Sequence, residues 1–190
     1  MAKTLDPRTD LSTYDNAWYK PGGAARRYAW FVMGRLFIHT YLPLPVSFKR
    51  LVLKIFGAKI GKNVMIKPKV NIKYPWYLSV GENAWIGENV WIDNLAQVTI
   101  GPNCCLSQGA LLLTGNHDYK STSFDLRVSA IVLEDGVWIG ARAVVGPGVV
   151  CGSHAVLSVN SVASKNLDRY QIYAGNPAQL IRKREFIREN

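Results

Sequence analysis

An aliphatic side chain that returns every sixth residue limits this chain to very few folds. The series runs Ile60, Ile66, Ile72, then Val80, Ile86, Ile92, then Ile100, Leu106, Leu112, and after a longer gap Leu133, Ile139, Val145, Cys151, Leu157. Four residues after twelve of these fourteen positions stands Val or something smaller, from Val64 and Val70 through Ala96 to Ala155 and Ser161; Trp76 and Asn116 are the exceptions. Gly directly follows the aliphatic in seven hexads, as at Gly61, Gly81 and Gly140. A period of six suits neither a 3.6-residue helix nor a two-residue strand. It suits a chain that makes a short strand, turns by about 120° and repeats, three hexads closing one triangular coil. The aliphatic and small side chains then point inward, and Gly or Asn tolerates the corner backbone. Coils stack about 4.8 Å apart through parallel ladders. The expected fold is mainly β, a parallel β-helix of between four and five coils over residues 60–162.

Function in a solenoid gathers where the repeat breaks, because an insertion leaves the coil as a loop. The first break, Lys73–Ser79 (KYPWYLS), predicts a widened corner, and a two-residue slip follows at Val98-Thr99. The richest break is the loop of residues 114–132, which holds His117 between Asn116 and Asp118. An imidazole with an unperturbed pKa near 6.5 suits general-base work at neutral pH. Asp93 and Asn94, at a corner one coil earlier, are candidates either to bind an acceptor or orient His117, or simply to make the turn. His154 falls on an outward position and His39 in an aromatic N-terminal segment, both read as surface or structural. Cys104 and Cys151 fall on inward positions and Cys105 on an outward one, with no base beside any of them in the sequence.

Charge separates the ends from the middle. The net +10 divides into +7 over residues 1–60, zero over 61–163 and +3 over 164–190. The neutral middle offers no basic stripe interleaved with aromatics, which argues against nucleic acid. Residues 1–57 read as a tail and helical appendage, with helices over Ala24–Tyr41 and Ser47–Phe56 separated by Pro43-Leu44-Pro45. The stretch Tyr28–Leu42 is broken by Gly34, Arg35 and His39 and is shorter than the roughly 20 apolar residues of a membrane span. The helices therefore either cap the open end of the stack and pack in an oligomer, or lie on an anionic membrane surface. With no apolar leader in Met1–Tyr19, the expected location is the cytoplasm or the inner face of the membrane.

The run Thr114-Gly115-Asn116-His117 resembles the loop that carries the catalytic histidine in sugar O-acetyltransferases with hexapeptide repeats. The longer strings SQGALLLTGNHDYKSTSFDL, VNIKYPWYLSVGENAWIGENVWIDNLA and YDNAWYKPG resemble the colanic acid biosynthesis acetyltransferases over nearly the whole chain. The resemblance implies a left-handed winding of the β-helix over residues 58–175, and a short C-terminal helix over 176–190 after the turn Gly175-Asn176-Pro177-Ala178. It implies acetyl-CoA as co-substrate, with no metal, and a homotrimer whose cofactor lies between adjacent subunits. Gly140 and Ala141 then meet the cofactor near the thioester, Val159, Ser164 and Lys165 line its arm, and Arg182 meets its phosphates. A second arginine position of the family is Gln179 here, leaving Lys183 or Arg184 to assist. His117 becomes the base, and Asp93, Asn94, Asn116 and Asp118 become contacts of the acceptor.

These features point to an O-acetyltransferase that acts on a sugar or lipid-linked oligosaccharide in surface polysaccharide assembly, by direct attack without an acyl-enzyme. Three alternatives stay open: an N-acetyltransferase on an amino sugar, a non-catalytic scaffold, and a zinc enzyme on the same fold. The last needs three converging histidines, and His154 lies about two coils from His117.

Overall fold

The structure, a computed structural model, describes residues 6–187. All fourteen aliphatic positions of the hexad series are buried, and Ala163 adds a fifteenth that completes a fifth coil. Of the twelve small partners eleven are buried; Ala96 is only partly so, because the corner there is taken by the fully buried Asn94. The coil has three faces. The first stacks Lys59–Ile60, Leu78–Val80, Val98–Ile100, Ile131–Leu133 and Val150–Cys151. The second stacks Met65–Ile66, Trp85–Ile86, Cys105–Leu106, Trp138–Ile139 and Val156–Leu157, and the third Asn71–Ile72, Trp91–Asp93, Leu111–Leu113, Val144–Val145 and Val162–Ala163. Pairing is parallel, and each inward residue sits on the next, as Val80 on Ile60 and Leu133 on Ile100.

The corners follow a rule finer than the one expected. Three residues after the inward aliphatic, the backbone takes a positive φ in eleven of the fourteen hexads. Asn fills that place five times, at Asn63, Asn83, Asn89, Asn103 and Asn160, because its short amide tolerates the left-handed region. The glycines directly after the aliphatic serve another purpose. A Cβ at Gly61 would stand 2.6 Å from the Glu82 backbone nitrogen, and one at Gly140 2.6 Å from that of Val159. They are required by the close approach of successive coils, not by the corner itself. The three hexads that lack the positive φ, at Ile72, Ile92 and Leu112, all lead into the corner between the third and first faces. Every insertion in the solenoid leaves there.

Helix α1 spans Ala24–Phe37 and α2 spans Val46–Ile55. α1 is shorter than the expected Ala24–Tyr41, because the Gly34 carbonyl accepts from both Ile38 and His39 and Ile38 turns into the core. α2 buries Val52 and Leu53 against the first coil, and Trp30 of α1 donates from its indole nitrogen to the Ile72 carbonyl at 2.9 Å. The open end of the stack is thereby capped. Of the C-terminal helix expected over 176–190, none forms among the described residues 176–187, and residues 188–190 lie outside them. Ala178–Lys183 is a strand, antiparallel to Gln171–Gly175, which itself pairs with Val156–Leu157 on the second face. The last coil offers unpaired backbone groups, and satisfying them outweighs the helical leaning of LIRKRE.

Candidate active site

His117 stands on a two-stranded hairpin, Gly115–His117 against Leu126–Val128, that projects from the corner between the third and first faces. The hairpin closes on itself: Ser129 donates its backbone N–H to Thr114 at 2.9 Å, and the buried Thr114 hydroxyl donates to the Asp93 carbonyl at 2.9 Å. The imidazole lies flat on Phe124, with centroids 4.4 Å apart and planes at 7°, and meets Tyr14 at 5.8 Å. Its Nδ1 is 2.8 Å from the Phe124 carbonyl oxygen. A carbonyl only accepts, so Nδ1 carries the proton and Nε2 is the basic nitrogen.

His117 lines a cavity of about 760 Å³ whose other walls include Tyr14, Asn16, Tyr19, Lys20, Tyr74 and Leu95. That volume suits a sugar-sized ligand. Residues 10–23, read from the sequence as a tail, form one wall. They are tied down by Asp10 N–H to the Thr122 carbonyl at 2.8 Å, by the Tyr19 hydroxyl to the Leu95 carbonyl at 2.6 Å, and by the Tyr77 hydroxyl to the Lys20 carbonyl at 3.3 Å. Burial holds the Tyr19 phenol well above its usual pKa, so it stays a neutral donor. Tyr14, Asn16, Tyr19 and Lys20 line the candidate site but fall outside the hexads. The only signal for them was the string YDNAWYKPG.

The expected acceptor contacts separate. Asp93 has a buried Oδ1 that forms an ion pair with the Lys73 ammonium at 3.2 Å and accepts no hydrogen bond of regular geometry among the described residues, and Lys73 also lines the His117 cavity. Asn94 takes the turn-making alternative: it is fully buried, its Oδ1 accepts from the Tyr74 N–H at 3.0 Å and its Nδ2 donates to the Tyr74 carbonyl at 2.6 Å, which ties the corner to the coil before it. Asn116 is exposed and accepts from the His117 N–H through its own side chain. Asp118 pairs with Arg127 and accepts from the Lys120 N–H, bracing the tip of the loop.

The expected cofactor residues occupy three places. Ala141 and Val159 share the corner between the second and third faces in successive coils, joined by Asn160 N–H to the Ala141 carbonyl at 2.9 Å. Ser164 and Lys165 are exposed at the other edge of the third face, two coils from the hairpin. Arg182 is exposed on the edge strand opposite Ile172. The Gly140 N–H donates to the Leu157 carbonyl at 2.7 Å within the ladder, so it is not a free donor, whereas the Ala141 N–H has no partner among the described residues. Arg184 donates to the carbonyls of Gly136 and His154 at 3.1 Å and is held in the scaffold.

His154 sits at a corner with φ of 60°, against Tyr170 and 3.9 Å from Asp135, far from the hairpin in the stack. Burial pushes the Cys104 thiol up to about 11 and Cys151 up to about 12, and also raises Cys105, so no thiolate nucleophile forms near neutrality. Among the described residues no three His, Cys, Asp or Glu side chains gather where they would hold a metal ion. No helix of the described residues is long and apolar enough to cross a membrane.

No family model matches the sequence. The chain is 35% identical over 166 residues to the Escherichia coli K12 protein WcaF, named for an acetyltransferase of colanic acid biosynthesis, covering 87% of this chain and 91% of that one. It is 28% identical over 150 residues to the galactoside O-acetyltransferase of the same organism, covering 77% and 73% of the two. Its fold superposes with a TM-score of 0.76 on a hexapeptide-repeat acetyltransferase of Vibrio cholerae solved with acetyl-CoA, at 24% identity and 88% and 93% coverage. A five-coil solenoid with a histidine hairpin at its broken corner, together with a relative this similar over almost its whole length, means that the chain belongs to the hexapeptide-repeat acetyltransferases.

Proposed function

We propose that the protein transfers an acetyl group from acetyl-CoA to a sugar hydroxyl in the assembly of a surface polysaccharide. The observation that carries this reading is the bond from His117 Nδ1 to the Phe124 carbonyl, which leaves Nε2 as the base in a cavity sized for a sugar. The acceptor hydroxyl gives its proton to Nε2 as its oxygen attacks the thioester carbonyl carbon. The tetrahedral oxyanion is held by a backbone donor, for which the unpartnered Ala141 N–H is the candidate. Collapse breaks the C–S bond, and the imidazolium returns the proton to the departing thiolate. Asp93, whose buried Oδ1 is ion-paired with Lys73 of the His117 cavity wall, is the candidate to accept from a second hydroxyl and fix the ring. Asn116 and Asp118 then shape the loop. Val159, Ser164, Lys165 and Arg182 hold the cofactor arm and phosphates, with Arg182 and Lys183 supplying positive charge.

The working unit is a homotrimer. Within one chain His117 and Ala141 stand at opposite edges of the third face, and the cofactor residues divide between those edges. A groove between two chains brings one chain's base to the next chain's cofactor. The test of the chemistry is CoA release followed by thiol detection over a panel of sugars, nucleotide sugars and lipid-linked sugars. Acceptor-dependent release is expected, falling by about 10²-fold or more in His117→Ala. Acetyl-CoA that binds but turns over equally well in the variant would remove His117 from the chemistry.

The protein also works at the cytoplasmic face of a membrane. The outward stripe of α1 is apolar at Tyr28, Val32 and Leu36, each four residues on, with Phe31 beside Val32, and the first 60 residues carry a net +7. Sedimentation with anionic vesicles is expected for the native chain and not for Val32→Asp with Leu36→Asp; equal recovery in the supernatant overturns it.

A further inference from the structure

A second cavity, of about 340 Å³, lies between α1 and the outer side of the third face. It shares Arg27, Lys73 and Tyr74 with the His117 cavity, so the two are neighbours with these side chains on their common wall. Its buried floor is apolar, made by Trp30, Ile38 and Ile72, with the indole of Trp91 beside it. Its rim carries Arg27, Arg35 and Lys73 against a single carboxylate, Asp93. Lys73 is matched by Asp93, and Arg35 lies over the Phe31 ring at 4.7 Å. Among the described residues neither Arg27 nor Arg35 has a carboxylate partner. The half-buried His39 of the same cavity has its pKa lowered by burial and then by the charges of Lys69 and Arg35. Cations gathered around a partly enclosed apolar space repel one another, and an anionic ligand relieves that repulsion.

We infer that this cavity is an acceptor subsite for the phosphate of a glycosyl phosphate or diphosphate, with the group beyond the phosphate lying on the apolar floor. The inference rests on the sugar acetyltransferase reading, which it deepens by naming the class of acceptor. A guanidinium on the wall common to both cavities suits a phosphate bonded directly to the sugar, and its fork matches two phosphate oxygens. A carboxylate on the ring itself would stay within the first cavity. The floor accepts either the flat face of a nucleobase or a prenyl chain, since both can lie on the exposed indole of Trp91.

The experiment uses the full-length protein and Arg27→Gln with Arg35→Gln, two exposed α1 positions whose replacement leaves the core intact. Calorimetric titration with inorganic pyrophosphate is run with the coenzyme site saturated by CoA. Wild type is expected to bind pyrophosphate, and the double variant at least about 10-fold more weakly at unchanged affinity for CoA. In turnover, galactose, UDP-galactose and a short-chain polyprenyl diphosphate galactose are compared. A phosphorylated acceptor is expected to have a kcat/KM at least about 10-fold above that of the free sugar, and the substitutions to erase that advantage. The better of the two carriers names the source. Equal kcat/KM for free and phosphorylated sugar, or pyrophosphate binding untouched by the substitutions, overturns the subsite. Pyrophosphate binding that weakens in the variant while no sugar is acetylated would leave the subsite standing and sink the acetyltransferase chemistry alone.

Discussion

Lys49 lies beneath the first coil with only 3% of its surface exposed, its ammonium reaching the Ile66 carbonyl at 3.4 Å. Burial lowers its pKa from the ordinary 10.5, so the charged form is held in the fold at a cost. Between the lowered value and 10.5 the unfolded chain binds more protons, and stability therefore rises with pH through that window. Below it the penalty is present in full. Lys49→Met is expected to raise the Tm at pH 7 by about 2–4 °C, as a gain near 1 kcal/mol would. The gain should shrink as the pH approaches 10.5, and thermal melts across that range check it. At this same scale less of the site than of the core was legible in the sequence. His117 was legible because it interrupts a period. Asn94 was not, because its two bonds reach back 20 residues to Tyr74. Tyr19 was not either, since its partner Leu95 is 76 residues away and no local pattern announces such a contact.

Among elements, the hexad strands were readable because burial of one side chain in six is a condition each strand must meet by itself. The corners were half readable. Asn at the third place after the aliphatic carries the positive φ, while Gly at the first place keeps two coils in contact. That distinction has a measurable consequence. Gly61→Ala puts a Cβ against the backbone of the next coil and is expected to destabilise by about 1–3 kcal/mol in urea denaturation. Gly23→Ala, with nothing within 4 Å of the added carbon, serves as the control and should cost less than about 1 kcal/mol, the loss of a glycine N-cap of α1. A steeper loss at Gly23 than at Gly61 would mean that coil contact is not what the glycine serves. The last strand, Ala178–Lys183, was misread as helix because its partner is an exposed sheet edge, which exists only once the solenoid is built.

For the molecule as a whole, the separation of His117 from Ala141 across the third face predicts how defective chains combine. In the proposed trimer His117→Ala lacks the proposed base, and Ala141→Trp fills the corner where the cofactor is expected. Each homotrimer should be inactive. In trimers reassembled from equal amounts, a site is intact when the base comes from one kind of chain and the corner from the other. Random assortment gives about a quarter of the wild-type rate. No recovery in trimers shown to be mixed would place base and cofactor on the same chain.

The hairpin that carries His117 leaves and returns at one corner, sealed by Ser129 on Thr114, and the first face runs on beneath it with Ile131 paired to Val98 as though nothing had been inserted. The segment is thus a cassette plugged into a scaffold that does not register its length. If the hairpin helps to shape the acceptor pocket as proposed, changes within it can alter that pocket while the coils beneath keep their pairing.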